Sequence, residues 1–133
     1  PGIPRMDLRV VAPSETFTLK GVEVVPLEVM HGKLPILGYR IAQRVGYVTD
    51  MLTMPEESYQ LLEGVEVLVL NALREKPHPT HQTVSEALKV VERLHPRETY
   101  FIHPSHHIGL HAYVESQLPP HVHLAYDGLQ VLI

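Results

Sequence analysis

Three residues whose side chains bind metal ions stand just beyond strand-like stretches of the sequence. His31, Asp50 and His103 each follow an apolar or β-branched run, in a chain that contains ten histidines among 133 residues. Neutral imidazole and carboxylate are common ligands of zinc and similar divalent metals. In layered α/β folds a rigid sheet aims the side chains at its strand ends toward one point. Two histidines and one carboxylate from separate strands therefore favour a divalent-metal site.

Each of these residues also has an ordinary structural interpretation. A histidine is more often an exposed side chain or a hydrogen-bonded core residue than a ligand, and Asp50 could cap the helix that follows it or be a turn residue. Asp50 is still the strongest single candidate, because the chain has only three aspartates, at positions 7, 50 and 127, and this one directly follows an apolar strand.

Further histidines lie in two loops. His78 and His81 occupy the proline-punctuated stretch KPHPTHQT, where a histidine is either solvated and inert or a proton donor held over a substrate. His106 and His107 follow Ser105, and their ordinary interpretation is an exposed position or a hydrogen bond to a ligand. No role is assigned to His95, His121 or His123.

The elements that must position these residues begin as strands. Turn residues divide the first half of the chain into apolar and β-branched runs, which predict strands over residues 8–12, 16–19, 22–29, 36–42 and 45–49. The last two meet near Gln43-Arg44 like a hairpin. Pro26 indicates that its strand is an edge strand or contains a bulge.

The second half of the chain alternates helices with strands. Capping-box patterns at Thr53–Glu56 and Thr83–Glu86 predict helices that run to about Leu62 and Leu94. Apolar density predicts strands over residues 65–70, 99–102, 122–126 and 129–133, and a third helix is predicted over 110–117. The layout predicts one α/β domain over residues 1–133, with a mixed β-sheet that carries helices on one face.

One face of this sheet is left without a partner. The N-terminal strands are too apolar to leave their second face in water, and the chain begins Pro1-Gly2-Ile3-Pro4 without an initiator methionine, as a fragment does. We expect a bare face larger than the few hundred Å² that a monomer usually exposes, and therefore a homodimer that buries it.

Composition excludes several classes of protein. With 44% apolar and 20% charged residues, the chain is neither a disordered tail nor a coiled coil, and no apolar run approaches the roughly 20 residues that cross a bilayer. The absence of cysteine excludes disulfides and thiolate metal sites, and the absence of a signal peptide favours a cytoplasmic location. A formal charge of −4, two phenylalanines and no tryptophan argue against nucleic-acid binding.

Five stretches of the sequence resemble, in order, the C-terminal half of metallo-β-lactamase-fold hydrolases. They are VMHGKLPILGYRI, GYVTDM, VEVLVLNALREKPHPTH, TYFIHPSHH and LAYDGLQVLI. The resemblance is strongest to the PhnP-like phosphodiesterases, which are related to tRNA 3′-processing endonucleases, and it extends over residues 20–133. It implies an α/β fold that is half of an αββα sandwich, in which each half of the protein supplies one sheet.

The resemblance also implies a role for each candidate residue. His31 and His103 match metal ligands, and Asp50 matches the aspartate that bridges two metals. His81 matches the histidine that protonates the leaving oxygen. Asn71 stands where relatives carry Asp or Asn, with a structural role. Candidates for hydrogen bonding to these groups are His78, Ser105, His106 and Asp127.

Most ligands of both metals come, in this family, from an HxHxDH motif that the chain lacks. We therefore interpret the chain as the C-terminal part of a larger hydrolase whose N-terminal half is missing. We expect this part alone to be inactive, with a metal site that is incomplete or empty.

The mechanism that the resemblance implies is metal-dependent hydrolysis of a small-molecule phosphodiester. Two divalent ions, zinc or manganese, would share Asp50 and activate a hydroxide that attacks phosphorus, while His81 protonates the departing alkoxide. Two alternatives stay open: hydrolysis of a thioester or another bond by the same fold, and a non-catalytic half domain that acts as a subunit or scaffold.

Overall fold

Seven strands form one mixed sheet in residues 6–133, the part of the chain that the computed structural model describes. The strands lie side by side in chain order: β1 (Phe17–Leu19), β2 (Val22–His31), β3 (Leu34–Ile41), β4 (Val45–Val48), β5 (Val67–Asn71), β6 (Glu98–Ile102) and β7 (Val122–Leu124). Strands β1 to β4 pair antiparallel, and β4 to β7 pair parallel. The Pro1-Gly2-Ile3-Pro4 start lies outside the described residues.

Helices connect the parallel strands. In the described residues they are α1 (Glu56–Leu62), α2 (Val84–Leu94) and α3 (His111–Gln117), with a 3₁₀ turn at His106–Ile108. No helix of residues 6–133 has the length and apolar character needed to cross a membrane.

One of the two predicted capping boxes is confirmed. At the start of α2, the Thr83 hydroxyl accepts from the N–H of Glu86, and the Glu86 carboxylate accepts from the N–H of Thr83. The capping box predicted for α1 is wrong. Pro55 is the N-cap there, because the backbone of Thr53 pairs with Met30 at the end of β2.

Short turns set the register of the antiparallel strands. They are the two-residue turns Lys20-Gly21 and Gly32-Lys33 and the three-residue turn over 42–44. Ala42 and Gln43 in the last turn have positive φ, 51° and 59°, which matches the twist of the flanking strands, and the turn confirms the predicted hairpin. Pro26 forms no bulge, because β2 pairs with β3 without a break, and the edge alternative holds locally, since the pairing of β1 with β2 ends at Val24 and the carbonyl of Pro26 accepts from the N–H of Ser14.

Two predicted strands are wrong. Residues 8–12 are irregular, and Leu8 and Val10 are 84% and 98% exposed, because these apolar side chains meet no neighbouring strand among the described residues. Residues 129–133 are also irregular. They follow a turn closed by the N–H of Leu129 and the carbonyl of Tyr126, and they lie beside a face of the sheet rather than its edge.

The core lies between the helices and one face of the sheet. Strand and helix side chains form one buried cluster there, which includes Leu27, Val48, Leu68, Phe101, Leu62, Val91 and Val114. Gly46 lets α1 approach the sheet, because a Cβ at this position would lie 2.9 Å from Cδ2 of Leu62 and 3.0 Å from Cδ1 of Leu68. The predicted α/β fold with a mixed sheet is confirmed.

The second face of the sheet is apolar and is partly covered by the end of the chain. Val45, Val67, Val69 and Tyr100 line a groove of about 260 Å³ together with side chains from residues 129–133. Tyr47 projects from β4 on the same side as Val45 and is 41% exposed. The homodimer expected through this face stays a prediction.

Candidate metal centre

One edge of the sheet collects the candidate residues. Because β2 is antiparallel to β3, and β3 to β4, strand β2 runs in the same direction as β4 to β7. His31 is the last residue of β2, Asp50 lies two residues beyond β4, and His103 directly follows β6. His81 lies in the loop between β5 and α2. The ends of parallel strands therefore bring all four residues to one edge.

The Asp50 carboxylate stands at the centre of these residues. Its Oδ1 lies 3.2 Å from Nε2 of His81 and 3.5 Å from Nε2 of His103. The ring of His81 is stacked on that of His103, with 5.0 Å between centroids, and meets the ring of His31 edge-on at 4.8 Å. We call His31, Asp50, His81 and His103 the Asp50 cluster.

The donor set of the Asp50 cluster fits a divalent metal ion. Ligand atoms of His31, Asp50 and His81 all lie within 4.8 Å of one another. Imidazole nitrogen combined with carboxylate oxygen suits zinc or manganese better than calcium, which takes oxygen ligands alone. The sequence predicted His103 as the second histidine ligand. The structure brings all four residues together, and its tightest group of three contains His81.

Asp50 and His103 share an unusual backbone conformation. Their φ angles are 58° and 59°, in the left-handed region, which costs a non-glycine residue about 1 kcal/mol or more. Asp50 does not cap α1, whose N-cap is Pro55, so its ordinary interpretation as a helix cap is excluded. The left-handed turn instead directs the chain away from the strand at the point where the carboxylate meets the histidines.

The pKa of Asp50 is lowered from its ordinary value. Burial raises the pKa of this carboxyl group, but hydrogen bonds from Thr49 and His81 and the charges of His103 and His81 outweigh the effect of burial. The Thr49 hydroxyl donates to Oδ2 of Asp50 at 2.8 Å, and Oδ1, the other carboxylate oxygen, faces the histidines. The ionised carboxylate is the form that binds a metal.

Asn71 fixes the segment that follows Asp50. Its side chain is fully buried and makes two hydrogen bonds to one residue: Oδ1 accepts from the N–H of Met51, and Nδ2 donates to the carbonyl of Met51, both at 2.9 Å. Gln82 joins the same network, because its backbone N–H donates to Met51 and its side chain donates to the carbonyl of Asn71 at 2.7 Å. Asn71 thus ties the end of β4 to the end of β5.

A hydroxyl lies between the two histidines of the β5–α2 loop. Oγ1 of Thr80 lies 2.9 Å from Nδ1 of His81 and 3.2 Å from Nδ1 of His78. The His81 side chain is almost completely buried, and its other nitrogen faces Asp50. Burial, followed by the charges of His81, Arg74 and His31, lowers the pKa of His78.

The remaining candidates lie away from the Asp50 cluster. Ser105 joins its loop to the β5–α2 loop, because its N–H donates to the carbonyl of Leu73, and its hydroxyl accepts from the N–H of His107. The rings of His106 and His107 are exposed, with 3.8 Å between their centroids. Asp127 is exposed in the turn after β7. Within residues 6–133, neither Ser105 nor His106 nor Asp127 makes a hydrogen bond to the cluster.

The sequence that forms the Asp50 cluster matches a known family. The family described as "Beta-lactamase superfamily domain" matches residues 2–104, a stretch that includes every member of the cluster. The chain belongs to the metallo-β-lactamase superfamily. This fold typically binds divalent metals, in agreement with the donor set of the cluster.

Solved structures agree with this membership of the metallo-β-lactamase superfamily. A diphosphatase from the PhnP family is 38% identical, with a TM-score of 0.87, and the match covers 92% of this chain and 47% of that one. The metallo-β-lactamase-fold protein YhfI from Bacillus subtilis is 17% identical, with a TM-score of 0.74, over 91% of this chain and 54% of that one, which supports the fold. The chain thus spans about half the length of each.

One curated relative is named for an activity other than phosphate hydrolysis. An octanoyltransferase from Porphyromonas gingivalis (strain ATCC BAA-308 / W83) is 40% identical over 134 residues, a match that covers 100% of this chain and 27% of the relative. The chain therefore spans about a quarter of that protein, and three quarters of the relative lie outside the match.

Three polar residues of this metallo-β-lactamase site were not predicted from the sequence: Thr49, Thr80 and Gln82. Each directly precedes or follows a candidate residue of the site. Adjacency to a candidate was the available signal, but sequence does not show whether a neighbouring side chain turns toward the site or away from it. Their roles became visible from their hydrogen bonds to Asp50, His81 and Asn71.

Proposed function

We propose that the protein hydrolyses a small-molecule phosphodiester with divalent metal ions that His31, Asp50 and His103 help to hold. The observation that carries the proposal is the convergence of two imidazole nitrogens, from His81 and His103, on one oxygen of Asp50 at a sheet edge. Similarity to a PhnP-family diphosphatase supports hydrolysis of a phosphate compound, the broader class to which this reaction belongs. When bound, a divalent ion polarises the phosphoryl group and lowers the pKa of the attacking water.

His81 is the proposed proton donor to the leaving oxygen. Its Nε2 lies at the Asp50 carboxylate, and its Nδ1 is engaged by the Thr80 hydroxyl. A general acid must stand within hydrogen-bond reach of the atom that it protonates. Since the His81 ring is packed between those of His31 and His103, its Nε2 is aimed at the place where the ligands meet.

A groove between the loops that carry His81 and His103 supports an anionic substrate. Arg74, Glu75, Lys76 and His107 line a cavity of about 390 Å³ between the loops that carry His81 and His103. The Arg74 guanidinium donates to the carbonyls of Lys76 and Pro77, which holds the wall of the groove in place. Two of the four lining residues, Arg74 and Lys76, carry positive charge and one, Glu75, carries negative charge, whereas the whole chain has a formal charge of −4. Such a groove attracts the phosphate of a substrate.

Two other functions have less support. The name of the octanoyltransferase relative implies acyl transfer, but that match covers only 27% of the relative, and the Asp50 cluster holds no Ser, Cys or Lys nucleophile. A non-catalytic half domain would have no use for three metal-ligand side chains whose donor atoms lie within 4.8 Å of one another at one strand edge. Thioester hydrolysis by the same metal site is the remaining candidate.

The test compares two substrates with the full-length natural protein. The protein is supplied with Mn²⁺ or Zn²⁺ and assayed on bis(p-nitrophenyl) phosphate and on an octanoyl thioester. We expect hydrolysis of the phosphodiester, and a loss of about 100-fold or more in Asp50→Asn. His121→Ala, at an exposed histidine before β7, is the matched control and retains activity. Cleavage of the thioester without cleavage of the phosphodiester would overturn the proposal.

A further inference from the structure

We propose that Arg74 is a positioning residue that holds the β5–α2 loop in the shape that places His81 at the Asp50 cluster. Arg74 is not a member of the cluster, and it acts through the backbone of the loop. Only the effect on catalysis rests on the proposed function of His81, whereas the hold on the loop rests on the hydrogen bonds of this chain.

The β5–α2 loop leaves the fold and returns to it at one place. At this base, the N–H of Leu73 donates to the carbonyl of Gln82 at 3.2 Å. The N–H of Val84, the first residue of α2, donates to the carbonyl of Arg74 at 3.1 Å. Residues 75–81 therefore project from a closed base, as in a compact surface loop whose ends meet.

The backbone of residues 75–81 does not fix its own shape. Among residues 6–133, no hydrogen bond between two backbone groups begins or ends within 75–81. The segment contains Pro77 and Pro79, which have no N–H to donate. Another source of order is needed, because a shift of about 1 Å at a catalytic group costs on the order of 100-fold in rate.

The Arg74 side chain supplies donors that the loop backbone lacks. Its Nε donates to the carbonyl of Lys76 and its Nη2 donates to the carbonyl of Pro77, both at 3.1 Å. Because the two donors belong to one planar guanidinium, they fix the two carbonyls relative to each other. The carbonyl of Pro77 belongs to the peptide unit that contains the N–H of His78, so Arg74 fixes the backbone where the histidine-bearing stretch begins.

The far end of the loop packs on the turn between β2 and β3. A Cβ at Gly32 would lie 3.1 Å from Cγ2 of Thr80 and 3.3 Å from the carbonyl oxygen of Pro79. Gly32 also has a φ of 62°, so this turn needs a glycine for both space and conformation. The loop is thus held by Arg74 near its start and by this turn near its end, and His81 directly follows Thr80.

Two substitutions separate the shape of the Arg74 side chain from its charge. Arg74→Lys keeps the positive charge, but a single ammonium group does not reproduce the planar pair of donors. Arg74→Met removes the charge and both donors while keeping an unbranched side chain. Lys76→Met is the matched control, because it removes a cation of the same groove and keeps the backbone carbonyl that Arg74 binds.

The first readout is the mobility of the loop. Backbone ¹⁵N order parameters of His78 and His81 are measured in the full-length natural protein after its metal has been removed with a chelator. We expect values of about 0.85 in the natural protein and in Lys76→Met, and values below about 0.6 in Arg74→Met and Arg74→Lys. The N–H of Glu86, in the capping box of α2, is the internal control and stays rigid. If the loop of Arg74→Met keeps values of about 0.85, Arg74 does not hold it and the proposal is overturned.

The second readout is hydrolysis of bis(p-nitrophenyl) phosphate with Mn²⁺ restored. We expect Arg74→Lys to lower kcat by about 10–100-fold at a nearly unchanged KM. Lys76→Met should instead raise KM at a nearly unchanged kcat, because it removes only a charge that attracts the substrate. If Arg74→Lys behaves like Lys76→Met in both readouts, Arg74 acts through its charge alone and the positioning role is wrong.

The two readouts also separate this proposal from the proposed function. If the loop becomes mobile while kcat stays unchanged, Arg74 positions the loop and the proton-donor role of His81 is overturned. If the natural protein hydrolyses no phosphodiester, the order parameters alone decide whether Arg74 holds the loop. Arg74→Gln gives the same test if Arg74→Met does not fold.

Discussion

Replacement of Asn71 by leucine tests whether its side chain holds the Asp50 segment in place. Leucine has the same number of side-chain heavy atoms in the same branched order, though its methyl groups are bulkier, and it lacks both polar groups, so the substitution opens no space. Asn71 is 0% exposed, and its Oδ1 and Nδ2 each make a 2.9 Å hydrogen bond to the backbone of Met51. The Met51 carbonyl would still accept from the N–H of Gln82 at 3.0 Å. Only the N–H of Met51 would remain buried and unpaired.

The size of the effect follows from this count. One buried, unpaired N–H costs about 1–3 kcal/mol, and the second lost hydrogen bond adds about 1 kcal/mol. Asn71→Leu should therefore lower the free energy of unfolding by about 2–4 kcal/mol. In a domain of this size each kcal/mol lowers Tm by about 3–5 °C, so we expect Tm to fall by about 6–20 °C.

Thermal and urea unfolding of the 133-residue chain measure this change. Gln60→Ala is the matched control, because this amide side chain is exposed on α1 and its loss should change the free energy of unfolding by no more than about 0.5 kcal/mol. If Asn71→Leu unfolds at the same temperature as Gln60→Ala, the hydrogen bonds to Met51 do not hold this segment, and the reasoning is refuted.

Three further predictions concern the histidines and the metal. In the full-length protein, His81→Ala should reduce turnover at nearly unchanged metal content, whereas Asp50→Asn should reduce both; unchanged turnover in His81→Ala would contradict the donor role. His123 donates to Glu115 and Glu98, and these hydrogen bonds raise the pKa of His123 above its ordinary value despite burial. The charged form of His123 therefore stabilises the fold fully below about pH 6.5, and this stabilisation is lost as pH rises through the raised pKa. The Tm advantage of the natural chain over His123→Gln should shrink between about pH 6 and pH 9, and a constant difference would count against the ion pairs. Elemental analysis of the 133-residue chain after a mild chelator wash should give close to zero metal; close to two ions per chain would show that the expected ligands from elsewhere are not needed.

Strand ends could be predicted from the sequence because the signals that set them are local. The apolar run of β4 stops at Asp50, and the pattern of β6 stops at His103, so both residues fall at the edge where a parallel sheet gathers its side chains. The capping box of α2 was equally visible, because Thr83 and Glu86 satisfy each other within one helical turn. These features depend on residues a few positions apart.

Features that need a distant partner could not be predicted in the same way. The run at residues 8–12 has the composition of a strand, yet a strand exists only where another edge accepts its hydrogen bonds, and Val10 remains 98% exposed. The predicted N-cap of α1 was wrong for a related reason. Thr53 has the residue type of an N-cap, but its backbone pairs with Met30, which lies 23 positions earlier in the sequence.

The role of His81 shows where the sequence stops being informative. A histidine in a proline-punctuated loop can be a ligand or a proton donor, and both roles need a free ring nitrogen. The structure leaves one such nitrogen, because Nδ1 is engaged by Thr80 and only Nε2 faces Asp50. A metal at Nε2 removes the proton that a donor must transfer, so His81 cannot fill both roles in one step. The hydroxyl that creates this choice is fixed by Gly32, a residue of another hairpin, and no pattern within the loop contains it.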